Sequence, residues 1–232
     1  MGILNVTPDS FADGGRHNEF EAAVARGIEM IAEGVDIIDV GGESTRPGAE
    51  RVSEEEEIAR TIPVITELAK HGATISIDTM RASTAEAAVK AGASIINDVS
   101  GGLADVEMLQ TAARLNVPFI AMHWRGQSKD MNSKAIYGDV VNDVIAELNE
   151  RIDAALDAGI KKDMLIIDPG IGFAKDAEHN WAIIDAIDRF VELGYPVLVG
   201  ASRKRFLGGD TPGEREQATI DLTQRLGTTG VW

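Results

Sequence analysis

The sequence has 232 residues, of which 44% are hydrophobic and 5% aromatic, and its formal net charge is −16 at pH 7. A chain of this length and composition can bury one large core, so a single domain over residues 1–232 is predicted. The acidic balance argues against nucleic-acid binding and against an anionic membrane, because both partners require a basic face. It does not exclude an anionic small molecule, since a local basic cluster can reverse the charge inside a cleft.

The chain contains no cysteine, which excludes disulfides, a thiolate nucleophile and a cysteine-bound metal. No apolar stretch approaches the roughly 18 residues of a membrane-spanning helix. The first ten residues lack the basic region and apolar core of a secretory signal. These features favour a cytoplasmic protein with no membrane partner.

Apolar runs alternate with stretches of helical periodicity along the whole chain. Seven apolar runs occur in order: ILN, VDIIDVGG, ISIDT, IINDVSG, PFIAMH, LIIDPG and VLVGASRK. The predicted helices cover residues 19–33, 54–70, 82–91, 105–115, 139–158, 177–193 and 214–227. Strands that are apolar throughout are typical of a parallel sheet covered on both faces by crossover helices. An α/β fold of the (β/α) barrel type is therefore predicted, with an open flavodoxin-like sheet as the alternative.

Each apolar run ends in a polar side chain that a buried strand would not select for packing. These residues are Asn5, Asp39, Asp78, Asn97, Asp98, His123, Asp168, Ser202 and Lys204. Because the carboxyl ends of barrel strands meet at one face, we expect the active site there. Asp78 and Asp168 could accept hydrogen bonds from a ligand, bind a divalent cation or transfer protons. The alternative for either one alone is a structural aspartate that caps the next helix.

Three further features bear on chemistry. The loop GGESTRPGAE combines glycines that allow close backbone approach with the forked donor of Arg46. The basic run from Ser202 to Arg205 follows the seventh strand, where barrels often bind anions, although a solvated surface run is the alternative. His123 could be structural as readily as catalytic, and no second histidine lies at ligand spacing, so zinc is not expected.

Taken together, these strings resemble the dihydropteroate synthase family. GILNVTPDSF, DVGGESTRPGA, SIDT, IIND, MH, LIIDPGIGF and SRK occur in the family's order, each at a predicted strand end. The resemblance covers essentially the whole chain. It implies a transferase of folate biosynthesis that condenses hydroxymethyl-dihydropterin pyrophosphate with p-aminobenzoate, giving dihydropteroate and pyrophosphate. It also implies a homodimer, Mg²⁺ as cofactor, and sensitivity to sulfonamides that compete with p-aminobenzoate.

The resemblance further implies roles for individual residues. Those expected to line the pterin pocket or contact substrate near it are Asp78, Asn97, Met122, Asp168, Phe173 and Lys204. Asn5 would help to hold Mg²⁺ on the pyrophosphate. Ser202 would meet the carboxylate of p-aminobenzoate.

Two loops complete the site that the resemblance implies. They would close over the reacting pterin and form the aminobenzoate pocket, and their residues are Phe11, Asp13, Thr45, Arg46 and Pro47. Among all these positions, the expected catalytic residues are Asp13, Asp78 and Lys204.

One departure from the family concerns the eighth strand, which carries an Arg-x-His motif that binds pyrophosphate. This sequence reaches only Gly230-Val231-Trp232 of such a strand. We therefore expect a (β/α)8 barrel whose eighth strand and helix are missing or truncated, clipped at the C-terminus. Two alternatives to the synthase are a pterin-dependent methyltransferase, which would not need the GGESTRPG loop, and a non-catalytic or decayed pterin-binding protein.

Overall fold

The computed structural model describes residues 1–7, 15–45, 48–211 and 213–232, without the side chains of residues 15–18 and 132. The strands within these ranges are β1 (Gly2–Asn5), β2 (Ile38–Gly41), β3 (Ile75–Asp78), β4 (Ile95–Asp98), β5 (Phe119–Met122) and β6 (Leu165–Asp168). The α-helices are α1 (Gly15–Ala32), α2 (Glu54–Lys70), α3 (Ala82–Ala91), α4 (Met108–Leu115), α5 (Val140–Asp157), α6 (Ala177–Asp185), α7 (Ile187–Val191) and α8 (Glu216–Leu226).

The six strands form one parallel sheet in the order β1-β2-β3-β4-β5-β6. Each strand pairs with the next one in the chain, which is the order of a barrel wall. A doubly wound sheet would instead reverse its order at a switch point. The predicted α/β barrel is thus confirmed over the described strands.

The predicted seventh strand is reduced to a single bridge between Ile167 and Val197. Leu198 N donates to Ile167 O at 2.9 Å. The next ladder bond would need an N–H at Pro169, which proline lacks, so regular pairing stops there. Trp232 N donates to Val197 O at 2.8 Å, which places the start of the expected eighth strand beside the seventh.

The helices agree with the sequence prediction to within two residues except at three places. α1 begins at Gly15 and α4 at Met108, instead of residues 19 and 105. Before α4 the chain forms a local turn, in which the Asp105 carboxylate accepts from Glu107 N at 3.0 Å, and the same carboxylate also accepts from Ala82 N at 2.8 Å. The predicted helix 177–193 is divided at Ala186, whose φ of −109° and ψ of 24° leave the helical region.

The barrel wall sorts its side chains into two layers because strand residues alternate between faces. One set, including Val40, Ile77 and Ile96, is buried against the surrounding helices. The other set fills the interior, where Ile95, Ile120 and Ile166 pack together. Continuing this inward set toward the carboxyl ends of the strands leads to the polar residues described next.

Within the described ranges, no helix combines the length and the apolar character that crossing a membrane would require.

Candidate active site

The carboxyl ends of neighbouring strands bring the predicted pterin-pocket residues side by side. Asp78 on β3 is the register partner of Asn97 on β4, and Met122 on β5 is the partner of Asp168 on β6. All four lie at or next to the last residue of a strand, on its inward side. The structure therefore groups these residues as the strand-end pattern predicts.

Asn97 is oriented by Asp39, the second residue of β2, which the sequence marked without giving it a role. Asn97 Nδ2 donates to Asp39 Oδ2 at 3.1 Å, and both side chains are buried. Because the Nδ2 end of the Asn97 amide faces Asp39, its carbonyl oxygen points away from Asp39. This oxygen can accept a hydrogen bond from a ligand. Burial raises the pKa of Asp39, and the hydrogen bond from Asn97 opposes that rise.

Asp78 lies among other acids. Burial raises its pKa well above the usual value, and the negative charges of Asp39, Glu57, Asp98 and Glu43 add to the rise. A carboxyl group in such surroundings keeps its proton to a higher pH than an exposed aspartate does, and in its protonated form Asp78 can donate as well as accept.

Gly41 makes room between the ends of β1 and β3. A Cβ at this position would lie 3.4 Å from Asp78 Oδ2 and 3.7 Å from Asn5 Oδ1. The amide oxygen of Asn5 and the carboxyl group of Asp78 therefore flank the same gap. Among the residues described, no group of three or more acidic or histidine side chains is placed to hold a metal ion.

Asp168 has cationic neighbours instead of acidic ones. Its Oδ1 accepts from Gly170 N at 2.7 Å. Burial raises its pKa, while Lys204, the Gly170 hydrogen bond and Lys175 oppose the rise. Asp168 is thereby better suited than Asp78 to remain an ionised acceptor.

Lys204 completes this side of the site. Its Nζ lies 4.7 Å from the centre of the Phe173 ring and donates to Ile171 O. Burial lowers the pKa of Lys204 to about 8, with Asp168 opposing the change. The ammonium thus lies against a backbone carbonyl and an aromatic face, and the Asp168 carboxylate acts on it through its charge.

Apolar side chains form a surface next to these polar groups. Met80, Val99 and Met122 are buried together, and Trp124 and Phe173 pack against them. An apolar surface with a few converging donors and acceptors at its edge suits a flat, polar-edged ring.

For the remaining predicted site residues, the structure gives at most the exposure of the side chain. Thr45 is half-buried near the end of a described segment, and Ser202 is exposed. The predictions for Phe11, Asp13, Arg46 and Pro47 fall outside the described residues.

His123 points to the outside of the barrel wall, because Met122 before it points inward. It is 1% exposed, and its Nε2 lies 2.9 Å from Glu147 Oε2 on α5. Burial, together with the charge of Lys175, lowers the pKa of His123 to about 4. Of the two roles that the sequence left open, the geometry favours the structural one.

A buried ion-pair network lies under the second loop and was not predicted. Arg81 contacts both Glu43, at 2.9 Å, and Glu57. Thr79 Oγ1 donates to Glu57 Oε1 at 2.6 Å, which ties the residue after Asp78 to α2. A signal exists in the sequence, since Glu57 shares helical spacing with the buried Thr61 and Leu68.

Comparison with known proteins gives the same family throughout. The family model described as pterin binding enzyme matches residues 1–232. A dihydropteroate synthase of Mycobacterium leprae is 47% identical over 242 aligned residues, which cover 100% of this chain and 85% of that protein.

Two solved structures are similar in fold as well as in sequence. The Xanthomonas albilineans dihydropteroate synthase with 4-aminobenzoic acid is 45% identical with a TM-score of 0.93, covering 100% of this chain and 84% of that one. The same bacterium's enzyme in complex with 7,8-dihydropteroate is 42% identical with a TM-score of 0.89, at the same coverage of 100% and 84%.

Proposed function

Because this chain belongs to the family of pterin binding enzymes, we propose that it catalyses the dihydropteroate synthase reaction. Hydroxymethyl-dihydropterin pyrophosphate and p-aminobenzoate would be the substrates, and dihydropteroate and pyrophosphate the products. The observation that carries the proposal is the convergence of Asp78, Asn97, Asp168 and Lys204 beside the apolar surface of Met122 and Phe173. Similarity to dihydropteroate synthases over the whole chain supports it.

Pterin recognition would rest on Asp168, Asn97 and Lys204. The amino-pyrimidine edge of a pterin presents donors next to an acceptor. The Asp168 carboxylate would accept from those donors, and the Asn97 carbonyl oxygen, directed away from Asp39, would accept another. Phe173 and Met122 would contact the faces of the ring, and Lys204 would donate toward it. In this arrangement each polar group meets an atom of the opposite hydrogen-bonding type.

The reaction itself requires a bond to break and another to form at one carbon. The C–O bond to pyrophosphate would break first, and the leaving group would take the electron pair. The positive charge left on the hydroxymethyl carbon would be shared with the pterin ring. The amine of p-aminobenzoate would then form the new C–N bond and lose one proton. Asp78, with its raised pKa, would give its own proton to the departing pyrophosphate and then take up the proton that the amine loses.

Mg²⁺ is part of the proposal because the leaving group is a pyrophosphate. Mg²⁺ usually binds through one or two protein oxygen atoms together with substrate phosphates. The Asn5 amide oxygen, which flanks the gap beside Gly41, fits such a single protein ligand. When bound, the ion would neutralise charge on the departing pyrophosphate.

The aminobenzoate site is proposed from the two loops. Phe11, Asp13, Thr45, Arg46 and Pro47 would close over the reacting carbon, exclude water and so prevent hydrolysis of the activated pterin. Ser202 would bind the carboxylate of p-aminobenzoate. A sulfonamide would compete for this pocket.

Assembly and location are also proposed. We expect a homodimer in the cytoplasm, without nucleic-acid or membrane partners. The net charge of −16 supports the absence of a basic binding face. Light scattering at two protein concentrations would test the dimer.

Pyrophosphate release with and without p-aminobenzoate, in the presence of Mg²⁺, tests the function. We propose that an eighth strand completes the barrel of this domain. The assay should therefore compare this chain with a form extended through an Arg-x-His strand. Release that depends on p-aminobenzoate in either form supports the synthase. Pterin binding without release in both forms would contradict it and favour a non-catalytic or methyltransferase role.

A further inference from the structure

Lys175 lies behind the proposed pterin site and has no role in the proposed reaction. It is 8% exposed, and it follows the loop of residues 169–174 between β6 and α6. Its Nζ lies 2.9 Å from His123 Nδ1 and 3.1 Å from each of two carbonyl oxygens, Gly170 O and Phe173 O. A buried lysine is costly unless such partners compensate for the loss of water.

The hydrogen-bonding types fix the protonation of the groups around Lys175. Carbonyl oxygens only accept, so Gly170 O and Phe173 O take two of the three ammonium N–H groups. The third N–H is directed at His123 Nδ1, which must then be the acceptor. His123 therefore carries its proton on Nε2 and donates it to Glu147 Oε2.

The result is a continuous chain of carboxylate, imidazole and ammonium from α5 to the β6–α6 loop. Arg125 anchors the outer end by donating its Nε to Glu147 Oε1 at 3.1 Å. Charge-assisted hydrogen bonds of this kind are stronger and more directional than neutral ones. This series of hydrogen bonds from Glu147 through His123 to Lys175 therefore forms a rigid support between α5 and the loop.

The supported loop is the one that shapes the pterin site. Gly170 donates its N–H to Asp168 Oδ1 at 2.7 Å and gives its carbonyl oxygen to Lys175. Its φ is 69°, and a Cβ there would lie 2.5 Å from His123 O, so the loop passes close to the barrel wall. Phe173 is held by its carbonyl oxygen while its ring faces Lys204.

We propose that Lys175, oriented by His123 and Glu147, is a positioning residue that sets the affinity for the pterin substrate by fixing the loop that joins Asp168 to Phe173. The inference rests on the proposed function, since it takes the pterin as the occupant of this site. Lys175 does not touch the substrate. Its effect should therefore be confined to the pterin and leave p-aminobenzoate binding unchanged.

Steady-state kinetics of Lys175→Met test the proposal, because methionine is also unbranched, is only one atom shorter than lysine, and removes all three donors. The KM for hydroxymethyl-dihydropterin pyrophosphate should rise about tenfold or more, and the KM for p-aminobenzoate should stay within about twofold, the usual scatter for a distant site. The matched control is Lys90→Met, at an exposed lysine of α3 that pairs with Glu86. This control should leave both constants unchanged.

A second pair of variants keeps the test valid if Lys175→Met does not fold. His123→Gln can still donate to Glu147 and accept from Lys175, whereas His123→Leu can do neither. Retained pterin KM in His123→Gln with a raised KM in His123→Leu supports the positioning role. In the unaltered protein, the ¹⁵N NMR shifts of His123 should show the proton on Nε2.

Several results would overturn the inference. One is an unchanged pterin KM in folded Lys175→Met, and another is an equal rise for both substrates. A proton on His123 Nδ1 would directly contradict the series of hydrogen bonds from Glu147 through His123 to Lys175. If the unaltered chain releases no pyrophosphate, calorimetric titration with the same pterin substrate separates the cases. Binding that weakens in Lys175→Met supports the positioning role without turnover, while no binding at all refutes both proposals.

Discussion

Asp78 and Asp168 occupy equivalent positions at the ends of β3 and β6, yet their surroundings are opposite in charge. The acidic side of the site consists of Asp78 with Asp39, Glu43 and Glu57, which push its pKa further upward than burial alone. The lysine side consists of Asp168 with Lys175 and Lys204, which oppose the effect of burial. The same residue type at the same place in a repeated unit therefore has a different chemistry.

The difference shows how a barrel with repeated βα units builds an asymmetric site. The strands supply the positions, and side chains on neighbouring strands and loops supply the charge. A pterin bound across this mouth would meet a carboxyl group that ionises more readily on the lysine side and one that keeps its proton more readily on the acidic side. Substitutions on the two sides should therefore have unequal effects.

The largest effect is expected for Asp168→Asn. The substitution removes the ionised acceptor for the pterin and leaves Lys204 and Lys175 without their carboxylate. Affinity for hydroxymethyl-dihydropterin pyrophosphate, measured by calorimetry, should fall about 100-fold to 1,000-fold. A loss of affinity of only about threefold or less is too small for the loss of a hydrogen bond to a charged group. Such a result would show that Asp168 does not contact the pterin.

A loss of stability is expected next, for Arg81→Met on the acidic side. Glu57 is 1% exposed and Glu43 is 7% exposed, so both would lose a cationic partner while buried. The free energy of unfolding, measured in urea, should decrease by about 3 kcal/mol. Arg60→Met is the matched control, because Arg60 pairs with the half-buried Glu56 on the same helix. Equal small losses for both variants would contradict the network.

A smaller effect is expected for Asp78→Asn than for Asp168→Asn on pterin binding. Because the surroundings of Asp78 favour its protonated form, a neutral amide changes the charge less than it does at Asp168. The affinity should fall about tenfold, as for one altered hydrogen bond. If both variants lose the same amount of affinity, the proposed difference between the two sides is wrong.

The smallest effect is a change in pH dependence for His123→Gln. Burial lowers the pKa of His123 to about 4 in the fold, from about 6.5 in the unfolded chain. Between these values the unfolded chain binds the extra proton, so this group makes the fold less stable as the pH falls. Removing it should flatten the slope by up to about 1.4 kcal/mol per pH unit. Urea unfolding at pH 7, 6 and 5 would show this flattening, and parallel curves for the two proteins would refute it.

The sequence predicts the parts of this account that depend on local pattern. Apolar runs that end in Asp78, Asn97 and Asp168 indicate both the strands and the face on which these residues meet. The family resemblance then supplies their roles. Lys204 is indicated as a site residue only by its position after the seventh apolar run. No periodic pattern of its own distinguishes it.

The parts that sequence analysis missed depend on distant contacts or on a missing donor. Lys175 meets His123 across 52 residues, and Arg81 meets Glu57 across 24, without any repeated spacing that links them. The early end of the seventh strand's pairing depends on Pro169, directly after β6, which has no N–H to donate. Helix breaking at Ala186 has no residue-level signal, since alanine favours helices.

The most direct test of the difference between the two sides is a pH titration of the aspartate side-chain carbons by ¹³C NMR. The signals of Asp78 and Asp168 would be assigned from Asp78→Asn and Asp168→Asn. We expect Asp78 to take up its proton at a higher pH than Asp168, because acids surround Asp78 and lysines lie near Asp168. Titration of both at the same pH, or of Asp168 first, would contradict it.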